Sequence, residues 1–261
     1  MALVALFVFA SCKKNTGVTN QPYEAYGTPA NKGQLKVNLA FAYAIDYANL
    51  RIKLNGAYVS NLLQSRTPFP GGGFNTRGSN FALYMSVPLG SNAVSIVMPK
   101  FGTNVDSVVL FSTNVNITDN TPQTLHLTDT AANMKSVLVR NNINNIADGM
   151  CRFNFVHLMP NVPAVDLYLN GVLMRANIPY LGASGAMDIP VGINAPGFVS
   201  GATTIWAVRA AGATATSPAL VSFASASGLI SGAALTGFCM GYSGATGARL
   251  PFLAMTLDKN Q

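Results

Sequence analysis

Two seven-residue stretches of the chain, LRIKLNG at 50–56 and VDLYLNG at 165–171, carry one pattern at an offset of 115 positions. Leu50, Ile52 and Leu54 answer Val165, Leu167 and Leu169, apolar with a period of two. An extended strand sends alternate side chains to opposite faces, so this period specifies apolar residues inward. Arg51 and Lys53, or Asp166 and Tyr168, are then expected outward. Asn-Gly closes each stretch, and both residues tolerate the positive φ of a tight hairpin turn. A chain built on this pattern twice is expected to fold twice as antiparallel β-structure.

The strand ahead of each hairpin corresponds as well, with a one-residue slip: Val37, Leu39 and Phe41 against Phe153, Phe155 and His157. Past the hairpins, YMSVPLG and AMDIPVG set Gly90 against Gly192, an offset of 102, so the first repeat carries about thirteen extra residues. The stretch SRTPFPGGGFNTRGSN, 65–80, is the place for them, and its Gly and Pro content reads as an exposed loop. Alternation continues in SVVLFSTNVNIT and QTLHLTDT, then in TTIWAVRA, PALVSFASA, GFCMGYSG and PFLAMTL. No stretch makes a convincing amphipathic helix. The expected fold is all-β, with two tandem immunoglobulin-like or transthyretin-like β-sandwich domains over 35–142 and 150–260. Each is large enough to bury a core, and the Asn-rich RNNINNIADG connects them.

The N-terminus reads as an address. Ala2 to Ala10 is apolar but too short for a helix crossing a bilayer core of roughly 30 Å. It has the length of a signal-peptide core, and its missing basic flank implies a true start several residues upstream. Phe9-Ala10-Ser11-Cys12 resembles a bacterial lipobox: a signal peptide over 1–11, lipid on Cys12, and a polar tether over 12–34. The competing reading is an ordinary signal peptide with an incidental cysteine. A lipid-anchored protein of the outer membrane follows from the first reading. The acidic residues that often follow the cysteine in surface-exported lipoproteins of the Bacteroidetes type are absent, so the membrane face stays open. The net charge of +7 comes from 16 basic residues scattered singly, apart from Lys13-Lys14, against 9 acidic ones. Nucleic acid needs clustered cations and is excluded as a partner.

RFNFVHLMPNVPAVDLYLNG, 152–171, followed by ANIPY, resembles the signature of domain of unknown function 4397: a strand ending in His, a Pro-containing turn, a Val-Asp strand, then Asn-Gly. The first repeat is a degenerate copy, with Phe41 where the His would stand and no counterparts of Pro160 and Pro163. The resemblance implies secreted or lipid-anchored envelope proteins with sandwich folds, often in tandem, and implies no activity.

Several residues invite chemistry. His157 and Asp166 would orient a nucleophile, or His157 simply hydrogen-bonds the turn backbone. Cys151 and Cys239 would pair in an oxidising compartment, or stay as two buried thiols. Trp206, Tyr168 and Tyr180 would form a sugar-stacking platform, or Trp206 fills the core and Tyr168 alone is left for contact. Asp106-Ser107-Val108 and Asp129-Thr130-Ala131 resemble the O-glycosylation signal of Bacteroidetes-type envelopes, with attachment at Ser107 and Thr130. GYSGA and GASGA lack the second Gly of a nucleophile elbow, and PGGGF lacks the Lys of a phosphate loop. With two histidines and no C-x-x-C, no zinc site or other metal site is expected, and no cofactor. The function expected is non-catalytic binding of an envelope protein. A surface-glycan-binding accessory is the alternative, and a hydrolase using His157 a distant one.

Overall fold

The structure is a computed structural model that describes residues 31–42, 49–100, 102–103, 105–200, 204–224 and 229–260. The signal peptide, Cys12 and the tether up to residue 30 lie outside the described residues.

The first ten strands are β1 Lys32–Leu39, β2 Arg51–Leu54, β3 Ala57–Tyr58, β4 Pro68–Phe69, β5 Gly73–Phe74, β6 Met85–Pro88, β7 Gly90–Pro99, β8 Asp106–Ile117, β9 Gln123–Thr128 and β10 Lys135–Arg140. Eight more follow: β11 Met150–Leu158, β12 Ala164–Leu169, β13 Val172–Pro179, β14 Met187–Pro190, β15 Ile205–Ala210, β16 Val221–Ala224, β17 Ala234–Met240 and β18 Phe252–Lys259. The expected tether runs three residues too far, because β1 begins at Lys32, paired with Pro88.

One pairing scheme occurs twice. β1 lies parallel to β9 and antiparallel to β6, with β10 beyond β9; β11 lies parallel to β17 and antiparallel to β14, with β18 beyond β17. Opposite them stand the sheets β3-β2-β7-β8 and β13-β12-β15-β16. The Asn-Gly hairpins form as expected, with positive φ at Asn55 and Gly56 and at Asn170 and Gly171. Leu50, Ile52, Val165, Leu167 and Leu169 are fully buried. Leu35, Val37, Leu39, Ile52 and Ile96 share the first core; Phe153, Phe155, Leu167, Leu169 and Trp206 share the second. Each such side chain contributes about 1.5–3 kcal/mol through burial.

The sheet registers correct one correspondence. Pro88 pairs with Lys32 as Pro190 pairs with Met150, so Leu35, Val37 and Leu39 answer Phe153, Phe155 and His157. Leu39, not Phe41, stands where His157 stands. A slide of two residues leaves every side chain on its face, so alternation alone cannot detect it.

The units do not hang as separate beads. The outer faces of the β1 and β11 sheets pack on each other through Ala40, Val139, Val156, Leu158, Phe238, Met240 and Ala254. β9 and β17 are therefore buried along their whole length. The polar face expected in water is here a second interior. His126 lies 6.0 Å from the ring of Phe238, and Asn141 donates to Asp258 at 3.0 Å. Both pairs join residues at equivalent positions of the two schemes, which is the signature of a local two-fold axis.

The insertion is the second correction. Asn38 pairs with Pro68 as Val156 bridges Ala183; seventeen positions then lead to Met85 but only four to Met187, a difference of thirteen. These extra residues are not an exposed loop. They form an arm whose β5 crosses to the other unit and pairs with β18, Phe74 against Met255 and Gly73 against Thr256. Phe74 packs against the second core. Glycine is required for so close an approach: a Cβ on Gly73 would lie 1.8 Å from the Met255 carbonyl oxygen, and one on Gly72 1.3 Å from that of Ser79. Gly73→Ala is expected to cost about 1–3 kcal/mol by pushing the strands apart. Limited proteolysis should then cut within 69–84 faster than in the parent, and equal cutting rates would show that the arm is not held there.

Candidate functional site

His157 ends the inward row of β11 and is fully buried. Its Nε2–H donates to the Val162 carbonyl at 2.8 Å, and Nδ1 accepts the Met159 N–H at 3.3 Å. Both ring nitrogens are spent on the turn between β11 and β12, and burial lowers the pKa of the ring. Replacing His157 by Leu strands a buried N–H and a buried carbonyl, an expected loss of about 1–3 kcal/mol in urea unfolding. A change below about 0.5 kcal/mol would mean that the prolines hold the turn without it.

Asp166 does not face His157. It is 3% exposed, and its carboxylate accepts the Asn177 N–H at 2.7 Å and the Gly212 N–H at 2.9 Å, tying β13 and the loop after β15 to β12. Tyr168 lies on the outward face as expected, yet it is 4% exposed. Its hydroxyl donates to Ala213 O at 2.7 Å, and the Arg209 guanidinium sits 4.7 Å over its ring. The connection from β15 to β16 folds back over this face, a covering that alternation cannot foresee. None of the three contacts solvent enough to meet a ligand at the surface. The aromatic platform dissolves with them: Trp206 is buried, stacked on Phe153 at 4.1 Å, and Tyr180 is half-buried edge-on to His157.

Cys151 and Cys239 are both buried and free. The register sets Cys239 beside His157, six residues along β11 from Cys151. That is roughly 20 Å at strand rise, far beyond the reach of a disulfide. Sequence reasoning missed the neighbour Cys239 does have: its sulfur lies 3.4 Å from His157 Nδ1. Only the β11–β17 register reveals this pair. Burial pushes the Cys239 thiol up to about 12, so it stays protonated and is no nucleophile. Thr130 is half-buried at the start of a short 3-10 turn, where Asn133 reaches its hydroxyl at 3.5 Å. The side chain of Ser107 lies outside what the structure describes.

The strongest polar constellation lies between the units. Lys36, fully buried on β1, donates to the Leu257 carbonyl and to Asp258 Oδ1 at 3.3 Å, with its ammonium 4.5 Å over the ring of Tyr84. Asp258 also accepts from Asn141, Tyr84, Thr256 and Thr236. Burial lowers the Lys36 pKa, while Asp258 pulls the other way. Beside this network opens a cleft of about 300 Å³ lined by Asn141, Asn142, Arg152, Asn154, Thr236 and Asp258. Arg152 is committed there to Asp188, at 2.7 and 2.8 Å, and to Asn142 and the Asn144 carbonyl. It pins the inter-unit connector. Among the described residues Asn141 Oδ1 is buried without a partner, an unspent group of the network at the border of the cleft. The arrangement suits hydrogen bonding to a small neutral ligand. Among the described residues no three His, Cys, Asp or Glu side chains gather to hold a metal.

The family model of a domain of unknown function, DUF4397, matches residues 75–168. The matched segment begins just after β5 and ends within β12, so it starts in one unit and finishes in the other. It contains His157 and Asp166 but stops short of the second Asn-Gly. No curated protein matches the chain.

Proposed function

We propose that the chain is a non-catalytic envelope lipoprotein of two DUF4397-type sandwich units, anchored to the outer membrane through lipid on Cys12 and binding another envelope protein. The observation carrying this reading is an apolar end of the second unit. Val172, Leu173, Ile193, Val199 and Ile205 are 41–77% exposed. Val172 and Leu173 follow the Asn170-Gly171 turn directly, and the Asn170 side chain ties the segments carrying the others to it, bonding Pro196 O at 3.1 Å and Ile205 N at 2.8 Å. Apolar side chains held out on a rigid frame mark association surfaces. The histidine and thiol that would serve catalysis are consumed inside.

Crosslinking in native membranes, followed by pull-down, should retain one discrete envelope protein that Ile193→Asp with Val199→Asp releases. Retention unchanged by both substitutions counts against the reading. Intact-mass measurement should find lipid on Cys12. A second reading, binding of a surface glycan, is favoured by the polar cleft between the units. Its sign would be a glycan-array signal that Asn154→Ala removes.

A further inference from the structure

The local two-fold exposes an asymmetry at the sandwich sides. In the second unit the edge of β18 is paired by β5, and Phe74 closes the gap toward the core. The equivalent edge in the first unit is β10, where Leu138 and Val139 answer Met255 and Thr256 through the registers with β9 and β17. Among the described residues β10 pairs only with β9, and the facing edge strand β8 only with β7. Between β8 and the 3-10 turn Ala131–Asn133, reaching β10 at its first residue, lies a groove of about 460 Å³ lined by Val109, Leu110, Phe111, Ala132, Met134 and Lys135. Val108 and Val109 are 42% and 56% exposed beside it.

We propose that this open side is a docking site for an extended strand of a partner protein that carries a small residue followed by an aromatic one. The proposal deepens the protein-binding reading above and rests on it. The occupant's chemistry is set by the filled side: a glycine lets the backbones approach, and the aromatic ring enters between the sheets. Strand addition of this kind satisfies edge N–H and C=O groups while a side-chain pocket gives selectivity. Charge refines the choice. Among the described residues Lys135 is the single charged one lining the groove, and it makes no ion pair. Continuing the β5 register, the third residue after the aromatic falls opposite Lys135, so a carboxylate fits there. In the chain's own arm that position is Arg77. The edge also borders an established interface, because Val139 already packs in the seam.

The probe is a synthetic peptide, Gly-Gly-Phe-Asn-Thr-Asp, copied from residues 72–76 with Asp in place of Arg77. Titrated into the full chain, it should shift and protect the amides of Leu138 to Arg140. Lys for Asp, or Ala for Phe, should weaken binding at least ten-fold, as should Val109→Glu, an exposed change that leaves the fold intact. Lys135→Glu should reverse the charge preference. Absence of saturable binding overturns the proposal, and so does binding that shifts Met255 and Thr256 instead, which means displacement of the chain's own arm. Dimerisation abolished by Val109→Glu would assign the edge to a second copy and equally overturn it. A pull-down that survives Val109→Glu but fails with Ile193→Asp removes this site and leaves the protein-binding reading standing.

Discussion

Lys36→Met should destabilise the chain by about 3–5 kcal/mol, because removing one partner of a buried ion pair leaves the other charge uncompensated. Asp258 would keep its bonds from Thr236, Thr256, Asn141 and Tyr84 but lose the one cation within 4 Å that it has among the described residues. The pair joins β1 of one unit to β18 of the other, so the damage falls on the seam. In urea, the single transition expected of the parent should split or broaden as the units lose their coupling. Lys36→Met combined with Asp258→Asn should recover most of the loss, since both charges then leave the interior together. A cost below about 1 kcal/mol for Lys36→Met, or no recovery in the double variant, would show that the pair does not anchor the seam.

The legible part of this fold is the part governed by local alternation. Leu54 and Leu169, each before its Asn-Gly turn, placed the hairpins, and the differing offsets at Gly90 and Gly192 placed the thirteen-residue insertion. What the arm does was hidden, because a Pro-Gly-Gly-Gly-Phe stretch reads as a loop unless its distant partner, β18, is known. β10 escaped notice for a related reason. Lys135 to Arg140 has contiguous Val137, Leu138 and Val139, two facing the seam and one the core, so no alternation survives. The polar residues Lys36, Asn38, Thr124 and His126 carry the usual mark of a solvated face, and nothing local distinguishes a solvated face from one covered by a second sheet. His157 and Asp166, the pair whose residue types invite chemistry, are both buried and spent on hydrogen bonds to backbone. The bond of His157 to its own turn is local enough to be read from the chain, whereas the partners of Asp166, Asn177 N–H on β13 and Gly212 N–H 46 residues away, come only with the three-dimensional path.

The same covered face makes the protein sensitive to mild acid. His126 is fully buried, its Nδ1 accepts the Asn38 side-chain N–H at 3.0 Å, and Nε2 has no partner among the described residues. Burial, and next the Lys36 charge, push it down to about 3 from its ordinary 6.5. His157 is lowered in the same direction by burial. Below pH 6.5 the unfolded chain takes up protons that the native chain refuses. Native stability is thus complete above that value and falls as the pH drops toward the folded pKa. A refused proton is worth about 1.4 kcal/mol per pH unit, so His126 alone removes about 3 kcal/mol by pH 4.5. Asp119, Asp106 and Asp188 are lowered from 3.8 by their Arg, Tyr or Lys partners and act only below this window. Urea unfolding from pH 7.5 to 4.5 should therefore show a steep decline that His126→Gln flattens by one proton, since the Gln carbonyl can still accept from Asn38. Parallel pH profiles for parent and variant would mean that the His126 ring meets water, and with it the sheet face on which the seam is built.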